Sequence, residues 1–164
     1  MNDPSILHPH VREALDSAGI TYEVMACAPE LADTAEFCAH FGIPPEEAGN
    51  TILVALKTTP RSYVACLVSA GTKLDVNRKV AALTGVKRIS FASAEETAEL
   101  TGMLIGGVSV AGLPDGVPLY IDQHVIEQKR VVIGGGNRHS KARLAPSELL
   151  KLPNASVADV AVPR

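Results

Sequence analysis

Two β-rich runs, residues 51–56 and 63–69, follow one another with only the hexapeptide KTTPRS between them. A parallel pair needs a crossover of roughly a dozen or more residues, so runs this close pair as an antiparallel hairpin. Pro60 lies in the connection and suits a turn. The chain is therefore not a regular alternation of strand and helix. Around the hairpin, residues 8–18 place Val11, Leu15 and Ala18 at helical spacing before Gly19, and 21–26 read as a strand. Asp33 or Thr34 caps a second helix running to His40, with Gly42 and Pro44 behind it. Residues 75–83 predict a third helix closed by Gly85, and 87–91 a short strand. Ser93 followed by Glu96 three positions on is a capping box, so a fourth helix begins there and ends near Thr101.

Beyond that helix, 102–116 predicts a loop, and 117–121, 130–133 and 140–144 predict strands. A short helix is expected over 146–151 and a last strand over 157–162. Strand follows strand in two places, which is the order of an α+β fold. A curved, mixed, largely antiparallel sheet surrounded by helices is expected, as one domain over residues 1–164. With 46% apolar and 20% charged residues the chain can bury one core and is not disordered as a whole. Its longest apolar stretch, 103–113, is far short of the roughly 20 residues that span a bilayer. The first ten residues lack the basic start and apolar run of a signal peptide. Three cysteines without a CxxC pair argue against a disulfide framework or structural zinc and fit a reducing cytoplasm.

Charge is segregated along the chain. Residues 1–50 carry nine acids and one base, whereas no acid interrupts Lys129, Arg130, Arg138, Lys141 and Arg143. A second basic cluster holds Lys73, Arg78, Lys79, Lys87 and Arg88 against Asp75. This pattern predicts one acidic and one basic face, the latter suited to an anionic ligand. Aromatic residues are only 4% and tryptophan is absent, which excludes a nucleic-acid reader built on an array of stacking platforms.

Two segments use glycine beyond ordinary turns: Gly102, Gly106, Gly107 and Gly112 in one, Gly134, Gly135 and Gly136 in the other. Glycine lets main-chain N–H groups approach a carbonyl oxygen, an oxyanion or a phosphate, and it also serves plain turns and bulges. Neither segment has the spacing of a P-loop or a dinucleotide fingerprint. Cys38 and His40 stand two apart on a helix and do not share a face, and Asp122 with His124 reads as turn polarity after a strand. No Ser–His–Asp arrangement stands out, and G-x-S-x-G is absent.

The run from Asn50 through Thr51 to Ala55, then Leu74 to Val80, Ala92-Ser93, Thr101-Gly102 to Ser109, and Val132 to Gly136 resembles the YbaK/prolyl-tRNA-synthetase-associated domain family over roughly residues 8–160. The most specific part is Thr101-Gly102, Gly106-Gly107 and Ser109. That resemblance implies aminoacyl-tRNA editing in trans: hydrolysis of the ester joining a wrong amino acid to tRNA, with neither metal nor cofactor nor enzyme nucleophile. A synthetase pocket discriminates a missing methylene by only about 1–3 kcal/mol, which is why a second, clearing site exists. By resemblance, Asn50 orients the terminal adenosine or a water, and Gly106, Gly107 and Val108 offer N–H groups to the ester oxygen. Ser109, Gly134, Gly135 and Gly136 line the wall. Arg138 and Lys141 meet phosphates, and Cys27, Thr101 and Gly102 complete the substrate contacts. Aminoacyl-tRNA is the expected partner, with a synthetase and a second copy of the chain as further ones.

The chain departs from the family pattern at chemically important positions. Asn50 stands where the family has a lysine, Val110 where it has a proline, Cys27 where some members have a tyrosine, Gly134 in place of a serine and Lys141 in place of an aspartate. Asparagine donates and accepts hydrogen bonds but supplies no cation. A module that binds charged tRNA, a nucleotide or an amino-acid derivative without hydrolysing it is therefore the alternative expectation.

Overall fold

The computed structural model describes residues 2–104 and 106–164. Helix α1 (Pro9–Ser17) starts on a proline, with the His8 imidazole accepting from His10 N–H, and buries Val11 and Leu15 completely. Strand β1 (Glu23–Ala26) leads to α2 (Thr34–Phe41), which Gly42 ends in the left-handed conformation. Strands β2 (Gly49–Leu56) and β3 (Ser62–Ser69) form the expected antiparallel hairpin, with Asn50 opposite Val68 and Leu56 opposite Ser62. Next come β4 (Thr72–Leu74), a π-helical turn over Val76–Val80 running into α3 (Ala81–Thr84), and β5 (Ile89–Phe91). Helix α4 (Ala94–Thr101) precedes the glycine-rich loop. The chain closes with β6 (Leu119–Asp122), α5 (Gln123–Ile126), β7 (Val131–Gly134), β8 (Ser140–Leu144), β9 (Ala155–Ala158) and β10 (Ala161–Pro163).

The class is α+β, as the order of elements implied. The strands are divided among three sheets rather than one: β5-β2-β3-β6-β9, β1-β8-β7 and β10-β4. Pairing is mostly antiparallel, but β3–β6 and β6–β9 are parallel. The expected final strand breaks in two for a local reason. Asp122 Oδ1 accepts from Val160 N at 3.0 Å and Ala161 N at 3.1 Å, which turns the chain away from β6 to pair with β4. The largest core gathers Val11, Leu15, Leu67, Leu119, Ile121, Ile133 and Leu144 between α1 and the sheets. No helix among the described residues is long and apolar enough to cross a membrane.

The capping box forms as read. Ser93 Oγ accepts from Glu96 N, and Glu96 Oε1 accepts from Ser93 N, both at 3.0 Å. That backbone bond, with the Tyr63 hydroxyl and Arg61 on the other oxygen, holds the Glu96 carboxyl down to about 2. Ser93→Ala is expected to cost about 1 kcal/mol in urea unfolding; an unchanged midpoint would deny the cap a role.

The segregated charge resolves differently from two separate faces. Arg130 pairs with Glu23 at 3.1 Å, Arg138 with Asp33 at 3.2 Å and Arg143 with Glu47 at 3.7 Å. Much of the acid-free stretch is thus neutralised by acids from the first fifty residues, which fold against it.

Candidate functional site

The two glycine segments meet. Gly136 N donates to Gly107 O at 2.7 Å, and a β-carbon on Gly107 would strike the backbone of Asn137. One on Gly134 would strike the carbonyl oxygens of Gly107 and Val108. Their lack of side chains serves first to let two main chains lie against each other. The contact places the end of β7 and the Gly106–Val108 turn on one side of a cavity of about 340 Å³. The start of β2, the first turn of α2, and Phe91 and Ala92 complete the lining.

Of the residues expected from sequence, Asn50, Gly106, Val108, Gly134 and Lys141 line this cavity together. Asn50 is oriented: Thr34 Oγ1 donates to its Oδ1 at 2.6 Å. With the amide oxygen so engaged, Nδ2 is the group left to donate to a ligand. The N–H groups of Gly106 and Val108 carry no hydrogen bond among the described residues, whereas Gly107 N–H is spent on Leu104 O at 3.0 Å.

Lys141 is the unusual element. It projects from β8, paired with Gly134 on β7 and Met25 on β1, and is only 9% exposed. Its ammonium sits 5.1 Å from the Phe37 ring centroid, and among the described residues no carboxylate lies within ion-pair distance. Burial pushes its pKa below the ordinary lysine value, and Arg138 nearby acts in the same sense. The Cys27 and Cys38 thiols and Asp33 pull the other way. A buried ammonium without a counter-ion is costly, and that cost falls when an anionic or strongly polarised ligand binds. Lys141, Asn50 and the two free N–H groups together make a cavity wall rich in donors, suited to a developing oxyanion.

The other expected residues lie elsewhere. Thr101 is buried with its hydroxyl on Thr97 O, and Gly102 ends α4 in the left-handed conformation. Ser109 is fully buried and its Oγ accepts from Ala111 N, so it shapes the turn rather than the wall. Gly135 packs on Ser140, and Gly136 on His8 and Val11. Cys27 is not on the cavity lining; its Sγ donates to Arg138 O at 3.7 Å, and burial raises its pKa. Arg138 donates to Asp33 Oδ1 and Pro29 O, which ties its guanidinium to the protein beside Gly106.

Sequence reasoning missed Thr34, which it read only as a helix cap, and Thr51 and Thr97 on the cavity wall. The Thr51 hydroxyl is buried without a partner among the described residues. The Thr34–Asn50 bond joins residues 16 apart, and no local pattern announces it. No group of three or more potential metal-ligating side chains exists among the described residues.

Residues 28–152 match a family model described as an aminoacyl-tRNA editing domain. A curated protein of Enterococcus faecalis, described as a candidate Cys-tRNA(Pro)/Cys-tRNA(Cys) deacylase, is 26% identical over 109 residues, or 66% of this chain and 64% of that protein. The chain therefore spans less than two thirds of that relative's length. The crystal structure of a hypothetical protein superposes with a TM-score of 0.84 at 29% identity, covering 93% of this chain and 99% of the other. That of a candidate trans-editing enzyme for prolyl-tRNA synthetase gives 0.82 at 28% identity, covering 95% and 99%.

Proposed function

Because the chain belongs to the family of aminoacyl-tRNA editing domains, we propose that it clears mischarged tRNA by hydrolysing the aminoacyl ester in the cavity at Asn50. The observation that carries this reading is the convergence of Asn50, Gly106, Val108, Gly134 and Lys141, from four separate segments, on one cavity of about 340 Å³. That volume is at the small end of ligand sites. It suits an aminoacyl group with its ribose and excludes an RNA helix.

In this reading the ester carbonyl oxygen points at the N–H groups of Gly106 and Val108 and at Lys141 Nζ. Asn50 Nδ2, fixed by Thr34, donates to the terminal ribose. Water adds to the carbonyl carbon, and the negative charge that develops on oxygen is met by donors already in place. The bond to the ribose oxygen then breaks, and the proton released by the water ends on that oxygen. No side chain forms a covalent bond to the substrate. Lys141 thus moves from the phosphate contact expected of it to a contact with the reacting oxygen. A second reading, a module that holds charged tRNA without hydrolysing it, draws on the neutral Asn50 and on the lack of an imidazole in the cavity lining.

A panel of mischarged tRNAs, including alanyl- and cysteinyl-tRNA(Pro), separates the two. The wild type is expected to release at least one of these amino acids, and Asn50→Ala to lower kcat/KM about tenfold to a hundredfold. A wild type that binds charged tRNA and releases nothing replaces the enzyme with the module.

A further inference from the structure

Asn50, Ile52 and Phe91 line a second groove as well as the cavity, so the two spaces adjoin along the same stretch of β2 and β5. This groove, about 600 Å³, runs between β4, β10 and the π-helical turn, and carries Lys73, Asn77, Arg78 and Arg164. Its charge differs from that of the acid-free stretch from Lys129 to Arg143 in one decisive respect. There, arginine after arginine is matched by an acid. Here, among the described residues, neither Lys73 nor Arg78 is in an ion pair, and both are exposed. The one carboxylate on the lining, Asp75, accepts from the backbone N of Arg78 at 3.1 Å and caps the turn. Two unpaired cations, Lys73 and Arg78, therefore face one committed side-chain carboxylate, while Arg164 Nε donates to Ala70 O at 3.0 Å. At the junction with the cavity stands Phe91, 59% exposed although its ring is fully apolar.

We propose that this groove binds the phosphodiester backbone of a single-stranded RNA 3′ end, with Lys73 and Arg78 at the phosphates and Phe91 stacked on a base. The inference rests on the editing reading for the identity of the RNA. An esterified 3′ end that enters the cavity must leave it through a mouth, and the groove continues from that mouth at Asn50 and Phe91. Unpaired cations spaced along an open groove suit a flexible polyanion, and one exposed ring is enough to stack one base. Lys73 and Arg78 of the second basic cluster thus acquire the role that Arg130, Arg138 and Arg143 lose to their own ion pairs.

Binding of uncharged RNA tests the groove without requiring hydrolysis. The probe is a labelled hairpin RNA with a four-nucleotide single-stranded 3′ tail, read by fluorescence anisotropy against the same hairpin without the tail. The wild type is expected to prefer the tailed RNA. Lys73→Glu with Arg78→Glu should weaken it at least about tenfold and flatten the plot of log K against log salt by about 1.4, two single-strand phosphates' worth. Phe91→Ala should weaken the tailed RNA by roughly fivefold or more and leave the tailless hairpin unchanged. The control is Lys57→Glu with Lys129→Glu, the same charge change at the ends of β2 and β7 remote from Asn50 and Gly134, and it should shift binding by less than about twofold. Where the reversed pair loses its native circular dichroism, Lys73→Gln with Arg78→Gln gives the same sign with less strain. Equal loss in groove and control variants, equal affinity for both RNAs, or no binding by the wild type overturns the proposal. A chain that clears esters yet binds RNA unaltered by the groove variants overturns the groove alone. A chain that hydrolyses nothing but loses RNA on groove reversal overturns the editing reading alone.

Discussion

Lys141→Met is expected to lower kcat/KM for ester hydrolysis about a hundredfold, with most of the loss in kcat, because removing one preorganised donor from an oxyanion site costs 10²–10³. Methionine keeps an unbranched chain against Phe37 while removing the ammonium, its charge and its donors together, so the native circular dichroism should persist. The pH dependence carries the sign of the mechanism. The ammonium does the work, so the cation-dependent activity is complete below the Lys141 pKa and fades as pH rises through it. Burial, reinforced by Arg138, puts that pKa below the usual lysine value, while Asp33 and the two thiols oppose the shift. After correction for spontaneous ester hydrolysis, the wild-type rate should therefore fall at lower pH than an exposed lysine would dictate, and Lys141→Met should lose this limb. A cation supplied at another point of the cavity lining should serve the same oxygen. Asn50→Lys is expected to recover part of the activity in the Lys141→Met background. In the wild type the same change sets two ammonium groups in one cavity and should lower activity. Wild-type kcat/KM in Lys141→Met would leave Lys141 as a packing residue.

What the sequence disclosed was local. The 51–69 hairpin, the capping box at Ser93 and the helix stop at Gly42 each rest on interactions within a few residues, where spacing and residue type suffice. The glycine segments announced a close approach, but spacing does not say what approaches. For Gly107 and Gly134 the nearest neighbour is another main chain, and among the described residues lining the cavity Gly106 and Val108 carry no backbone hydrogen bond from their N–H groups. Contacts between distant segments stayed invisible. Thr34 holding Asn50, and the acids of the first fifty residues meeting Arg130, Arg138 and Arg143, depend on which sheet each strand joins. The short β4 also escaped notice. Three residues carry no period, and its partner β10 follows a bend held by Asp122, 38 residues earlier in the chain. Lys141 looked like part of a basic surface because its residue type is usually exposed. Its register opposite Gly134, on a strand flanked by β1 and β7, is what turns it inward.

Asp122→Ala is expected to destabilise the chain by about 3–5 kcal/mol, the largest effect of any single substitution outside the cavity. The side chain is fully buried and accepts four hydrogen bonds: Val160 N and Ala161 N on Oδ1, His124 N and His124 Nδ1 on Oδ2. Alanine removes the acceptor and leaves the Val160 and Ala161 donors buried with nothing to receive them. Each such charged bond is worth about 1.5–3 kcal/mol, and each orphaned donor adds its desolvation penalty. Asp122→Asn should cost less, about 1–3 kcal/mol, since one amide oxygen can still accept from the β10 side while its NH₂ faces the His124 donors. Urea midpoints at constant slope measure both, and a melting shift of roughly 10 °C is expected for alanine. The damage should also be directional. Asp122 fixes the segment whose Val160 O accepts from Asp75 N at 2.8 Å, and β10 pairs Val162 with Lys73. Loosening it frees one wall of the basic groove while the cavity wall formed by β7 and β8 keeps its own ladder. Below its melting temperature the alanine variant should therefore lose affinity for tailed RNA by more than it loses turnover. Equal stability in wild type and variant would mean that the β4–β10 pair, and not the buried carboxylate, holds this end of the fold.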